Sequence, residues 1–157
     1  MLVFLNSKPV LIGLHLGAAI IGIDAFLWLL GEVIAGAESI RRRAIASYIG
    51  ILGFVFAWII GGYYYVRFYG PLVKPIIKAG SAPWAHAIAM EAKEHVFLFA
   101  LPLAVTILLL SKLGEGDLKT MDLRKSLIGL ILILVGLGFA IGAFGFIISA
   151  AARWGVI

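Results

Sequence analysis

The chain has no cysteine, which excludes disulfides, thiolate metal sites and covalent c-type haem attachment. Charge is scarce as well: charged residues are 13% of 157, too few to give a soluble domain a wet surface. No phosphate-binding glycine loop, catalytic triad or nucleophile–base pair is present, so hydrolytic and transferase chemistry find no footing. Basic residues do not alternate with aromatics in a stripe, and the net charge of +5 therefore suits anionic lipid headgroups and not nucleic acid. The first apolar run has neither a basic n-region ahead of it nor a small-residue cleavage site, and it is read as a retained helix and not as a signal peptide.

What fills the chain is apolar. Hydrophobic residues reach 63%, and the mean hydropathy is +1.12. A helix needs roughly 20 residues to cross about 30 Å of hydrocarbon. Four runs qualify: residues 9–34, 47–66, 92–111 and 127–150. None alternates as a barrel strand does. These patterns predict an all-α, polytopic membrane protein made of one domain, a four-transmembrane-helix up-down bundle with helices over residues 9–34, 47–66, 83–111 and 127–150.

Orientation follows from where the cations gather. Arg41, Arg42 and Arg43 mark the first loop, and Lys112, Lys119, Arg124 and Lys125 mark the third. By the positive-inside rule both loops are expected in the cytoplasm, with both termini and the second loop outside an inner cell membrane. The second loop, residues 68–82, carries Gly70, Pro71, Pro75 and Gly80 and is expected on the membrane surface or over the bundle mouth. Residues 114–122, GEGDLKTMD, read as an ordinary polar connection. Pro102 is expected to kink helix three.

Chemistry concentrates in residues 81–110, which hold His86, Glu91, Lys93, Glu94 and His95 at the entry of an apolar run. Helix one adds His15 and Asp24, nine residues apart and therefore on opposite faces. Gly13 and Gly17 form a small-residue contact motif on the Asp24 side, which suits an oligomer or partner contact; Asp24 itself is first read as a polar link between helices. Helix two carries a small-residue row at Gly50, Gly53, Ala57 and Gly61, and helix four another at Gly138, Gly142, Gly145 and Ser149.

At 1.5 Å per residue, His15 lies roughly 9 Å and His95 a few ångströms inside the same boundary. Helices one and three are diagonal in an up-down bundle, so the two imidazoles are expected to face each other as the axial ligands of one haem b. Gly61, Gly62, Gly142 and Gly145 would give the macrocycle room, and Arg67, Lys93 and Arg153 would meet its propionates. The first expectation is thus a haem-b electron-transfer protein with a redox partner protein at the outer face. Two alternatives stand beside it. One is a non-haem copper, zinc or iron ion on Glu91, His95 and His15, with His86 joining only through a helix bend. Against a di-iron centre, the residue three before His95 is Ala92, so Glu-x-x-His is absent. The other is a cofactor-free scaffold or partner subunit, either a homo-oligomer or part of a larger membrane complex.

The opening segment LIGLHLGAAIIGIDAF, a histidine followed by small residues, resembles the first helices of small bacterial four-helix membrane proteins of the copper-resistance D-like and b-type cytochrome groups. The resemblance covers roughly a tenth of the chain. It implies His15 and His95 as axial ligands. Two-haem members of that class carry four bundle histidines, whereas this chain has two within its apolar runs, so one haem is the most it implies.

Overall fold

The structure, a computed structural model, describes residues 6–155, and no strand occurs among them. The chain runs through α1 (Lys8–Ile34), α2 (Ile40–Tyr64), a π-helical stretch (Tyr65–Val73) and α3 (Lys74–Ala79). A second π-helical stretch (Ala85–Met90), α4 (Glu91–Ser111), α5 (Glu115–Thr120) and α6 (Arg124–Trp154) complete it. Four helical stretches, Lys8–Ile34, Ile40–Ala79, Ala85–Ser111 and Arg124–Trp154, are long and apolar enough to cross a membrane. Of the lead-in before Pro9, residues 1–5 lie outside the described residues.

Helix ends follow local chemistry. Pro9 sits in the first turn of α1, where a missing N–H costs nothing. α1 stops in a Schellman turn: Ala37 N–H donates to Glu32 O at 3.0 Å, Gly36 N–H donates to Val33 O at 3.2 Å, and Gly36 takes φ 66°. Ser39 then caps α2 by accepting from Arg42 N–H. The same turn closes α5, with Leu123 N–H on Leu118 O at 2.9 Å and Asp122 at φ 52°. Residues 114–122 are therefore more than a polar connection, since they fold a helical turn that buries Leu118.

α1 packs on α2 and α6, α4 packs on α2 and α6, and α1 and α4 lie diagonally. One end of the bundle gathers the C-terminal ends of α1 and α4 with the N-terminal ends of α2 and α6, as Arg124 bonding Val33 O and Arg43 bonding Leu113 O require. The four helices thus alternate in direction. The core between them holds Ile23, Phe26, Leu29, Phe54, Ala104, Ile107, Ile131 and Leu134, with Phe26 stacked on Phe54 at 5.6 Å. The small-residue row of α2 is the seat of α1. A Cβ on Gly53 would lie 2.7 Å from Gly22 N and 2.8 Å from Ala18 O, so two backbones touch there and neither position admits a side chain.

The expected surface loop over residues 68–82 is corrected. Helix two does not end near residue 66; the chain stays helical to Ala79, with Tyr69 and Ile77 buried. Pro71 would clash with the carbonyl four residues back in an α-helix, and the wider π turn over Tyr65–Val73 gives its ring room. Pro75 falls in the first turn of α3, where it is tolerated. α4 likewise remains helical through Pro102, and Thr106 Oγ donates to the Pro102 carbonyl at 3.0 Å.

Candidate functional site

Polar side chains collect at the two ends of the bundle. At the first, here the histidine end, His15 is half-buried and its Nδ1 lies 2.7 Å from the carbonyl of Ala57. A carbonyl only accepts, so Nδ1 carries the proton and Nε2 keeps its lone pair. The ring lies over Gly61, where a Cβ would come within 2.7 Å of Nδ1. Gly61 is small because the imidazole needs its space. His95 shows the same tautomer: Nδ1 donates to Glu91 O, one turn back, at 2.7 Å, and Nε2 is left free. Ring N–H bonds to backbone carbonyls are the arrangement that orients metal-ligating histidines.

The two imidazoles do not face each other. α4 buries Ala100, Ala104, Ile107 and Ser111, a face that continues back to Phe97 and Lys93. His95, two residues and about 200° from Lys93, falls on the exposed stripe with Leu98, Pro102, Val105 and Leu109. A count of residues fixes depth, whereas the packing of Ala100 and Ala104 fixes the rotation of the helix, and it turns His95 outward. Lys93 occupies the inner position instead, with Nζ 3.7 Å from where a Cβ on Gly145 would stand.

The glycines expected to make room for a macrocycle divide accordingly. Gly61 is covered by the His15 ring and Gly145 by Lys93, while Gly62 and Gly142 are exposed with open space beyond them. Arg67 and Arg153 are exposed. These residues do not fit a haem held by both imidazoles across the bundle interior.

His86 is also placed differently from expectation. It is 6% exposed, buried on the inner face of the second π stretch, and its Nδ1 lies 3.1 Å from the hydroxyl of Tyr69, itself 1% exposed and stacked on Tyr65. Among the described residues no three His, Asp or Glu side chains gather as a metal-binding group, so His15, His86, Glu91 and His95 do not form one ligand set.

The opposite end, the arginine end, holds chemistry that sequence reasoning assigned only to topology. Arg43 is fully buried; it donates to Leu113 O at 2.6 Å and lies 3.6 Å from Glu115, also buried. Glu115 meets Arg124 at 3.6 Å and Lys119 at 3.7 Å, and Arg124 in turn donates to the carbonyls of Val33 and Ile34 that end α1. Ser47 and Ser111 bond across α2 and α4 at 3.1 Å. Buried Glu32 accepts from Trp28 Nε1 at 2.9 Å and pairs with Arg42. One signal for Arg43 was available: it continues the row Ser47, Gly50, Ala57 and Gly61 by helical spacing. Nothing in the sequence distinguishes Glu115 from its neighbours in the loop.

Asp24 is exposed near the middle of α1, on the side away from His15, and makes no hydrogen bond or ion pair among the described residues. It is thus no polar link within the bundle. Beside it, an apolar groove of about 470 Å³ runs between α1 and α2, lined in part by Gly13, Gly17, Ile21, Leu52 and Phe56.

No protein-family model, curated protein or solved structure matches this chain. The likeness to b-type cytochromes therefore rests on the residues of the first helix alone.

Proposed function

We propose that the chain is an integral membrane protein, crossing the bilayer four times with the arginine end in the cytoplasm, and that it serves as a partner-binding subunit of a membrane complex. The observation that carries this reading is Asp24. In such a bilayer, a carboxyl group on the outward face of an apolar helix, some ten residues or about 15 Å from the Ile34 end, would have no water within reach. Such a group is paired by something outside its own chain. The apolar surfaces of α1 and α4 and the ionic arginine end support the same reading, since the first suits lipid and the second a headgroup boundary. The test is the native size of the chain extracted gently from its own membrane. A species larger than the monomer, reduced to monomer by Asp24→Leu, is expected; a monomer from the wild type refutes the reading.

A second reading is kept because one observation favours it. Both His15 and His95 commit Nδ1 to a backbone carbonyl and leave Nε2 as a lone-pair donor at the same end of the bundle. This suits haem-b binding and electron transfer, or a copper, zinc or iron ion, with His15 as the ligand from the interior. His95 is turned outward, so a second ligand would have to come from outside this bundle. An absorption spectrum of the purified protein decides: a red protein with an alpha band on reduction supports haem, and a colourless protein without bound metal excludes both cofactors.

A further inference from the structure

We infer that the Asp24 face of α1 receives a transmembrane helix of another protein that carries a lysine or arginine near mid-span. The inference deepens the partner-subunit reading and rests on it. Asp24 comes first in the argument. Its side chain is too short to reach either membrane boundary from its depth, so an ionised carboxylate requires a cation or a set of hydrogen-bond donors beside it in the hydrocarbon. No described residue supplies one.

The surface around Asp24 is shaped for close approach. Gly13, Gly17, Ile20, Asp24, Leu27 and Gly31 recur at intervals of four, three, four, three and four, the 3.5-residue repeat of a left-handed helix pair. A Cβ on Gly13, Gly17 or Gly31 would meet nothing within 4 Å. Gly22, Gly50 and Gly53 are required by contacts inside the chain, whereas these three are required by none. Glycine weakens a helix relative to alanine, and here its effect is to let a second backbone come close.

Charge decides between a second copy and a different protein. Copies inserted in the same orientation meet at equal depth, and no described cation of this chain lies at the level of Asp24: there α1 meets Gly50 and Gly53 of α2 and Gly138 of α6, whereas Arg43 stands two helical turns from Gly50 and Lys93 lies beside Gly145. At the depth of Asp24 a second α1 offers only another Asp24 and no cation. A cation-bearing helix from a different chain is the complementary occupant.

The experiment places the full chain in phosphatidylcholine vesicles with a labelled synthetic leucine-rich helix of about 22 residues, carrying either a central lysine or leucine throughout. Energy transfer reads the pairing. Wild type is expected to pair with the lysine helix about tenfold more tightly than with the leucine helix. Asp24→Leu should erase that preference, Asp24→Asn should reduce it, and Gly17→Leu should weaken pairing with both helices. Equal pairing of wild type with the two helices overturns the inference, as does a lysine preference that survives Asp24→Leu. Asp24-dependent self-association without peptide overturns it in favour of a second copy. Alkaline extraction of the same vesicles separates the two levels: a chain that washes off refutes the membrane reading itself, whereas a retained chain without preference refutes only the docking.

Discussion

The two ends of the bundle use polar residues in opposite ways. At the arginine end, charges are buried and paired within the chain: Glu115 faces both Arg43 and Arg124 at 3.6 Å, and the two arginines donate to the carbonyls that close α1 and α4, while Arg43 Nε and Nη1 and both Glu115 oxygens make no hydrogen bond among the described residues. At the histidine end, the hydrogen bonds are neutral, between helices for His15 and within α4 for His95, and they leave capacity over. His15 and His95 bond carbonyls through one nitrogen and keep the other, and Lys93 enters the bundle with no ion-pair partner among the described residues. The first end has the character of a lock and the second of a site. A buried network fixes helix register because removing any member strands the others, whereas a ring held by one hydrogen bond can be exchanged at small cost.

The largest test of that contrast is Glu115→Leu. It leaves Arg43 buried with no counter-charge, and a loss of about 3–5 kcal/mol is expected on unfolding in mixed detergent micelles. A loss below that of His15→Ala would mean that the arginine end is no lock.

His86→Leu comes next. The Tyr69 hydroxyl would remain buried without its partner, for a cost of about 1–3 kcal/mol, and adding Tyr69→Phe should recover much of it. The same unfolding assay, run as a double-mutant cycle, would show whether this hydrogen bond makes part of the histidine end structural.

His15→Ala removes the bond to Ala57 and should cost about 1 kcal/mol, in keeping with other interhelical hydrogen bonds in bilayers. Were it to cost as much as Glu115→Leu, the histidine end too would be a lock. The smallest effect is expected for His95→Ala, within about 0.5 kcal/mol, because the ring is exposed and bonds only its own helix. A visible spectrum taken on the same variants sharpens the comparison. Should His95→Ala abolish a haem band while stability is untouched, the outward imidazole is a ligand and not a bystander.

Much of the architecture was legible in residue order. Four apolar runs anticipate the four long helices, whereas the small-residue row from Gly50 to Gly61 was visible without showing that α1 sits on it. Residues 68–82 misled because Gly70, Pro71 and Pro75 are breakers by local propensity, yet the chain widens into a π turn and stays helical where Tyr69 and Ile77 gain burial. Of the candidate site, the shared end of His15 and His95 agrees with a depth count, but their mutual facing does not hold. Gly61 and Gly145, read as space for a cofactor, are taken by His15 and Lys93.

The sequence alone determined what depends on distance along one helix: which runs are long enough to cross hydrocarbon, how far each histidine lies from the end of its run, and that Asp24 and His15 point opposite ways. Only the tertiary structure decided what depends on the rotation and docking of helices. It turned His95 outward and Lys93 inward, buried Arg43 against Glu115, and left Asp24 without a partner among the described residues. The physical reason is that depth follows from a fixed rise per residue, whereas rotation is chosen by packing, where Ala100, Ala104 and Gly53 meet surfaces far away in the chain.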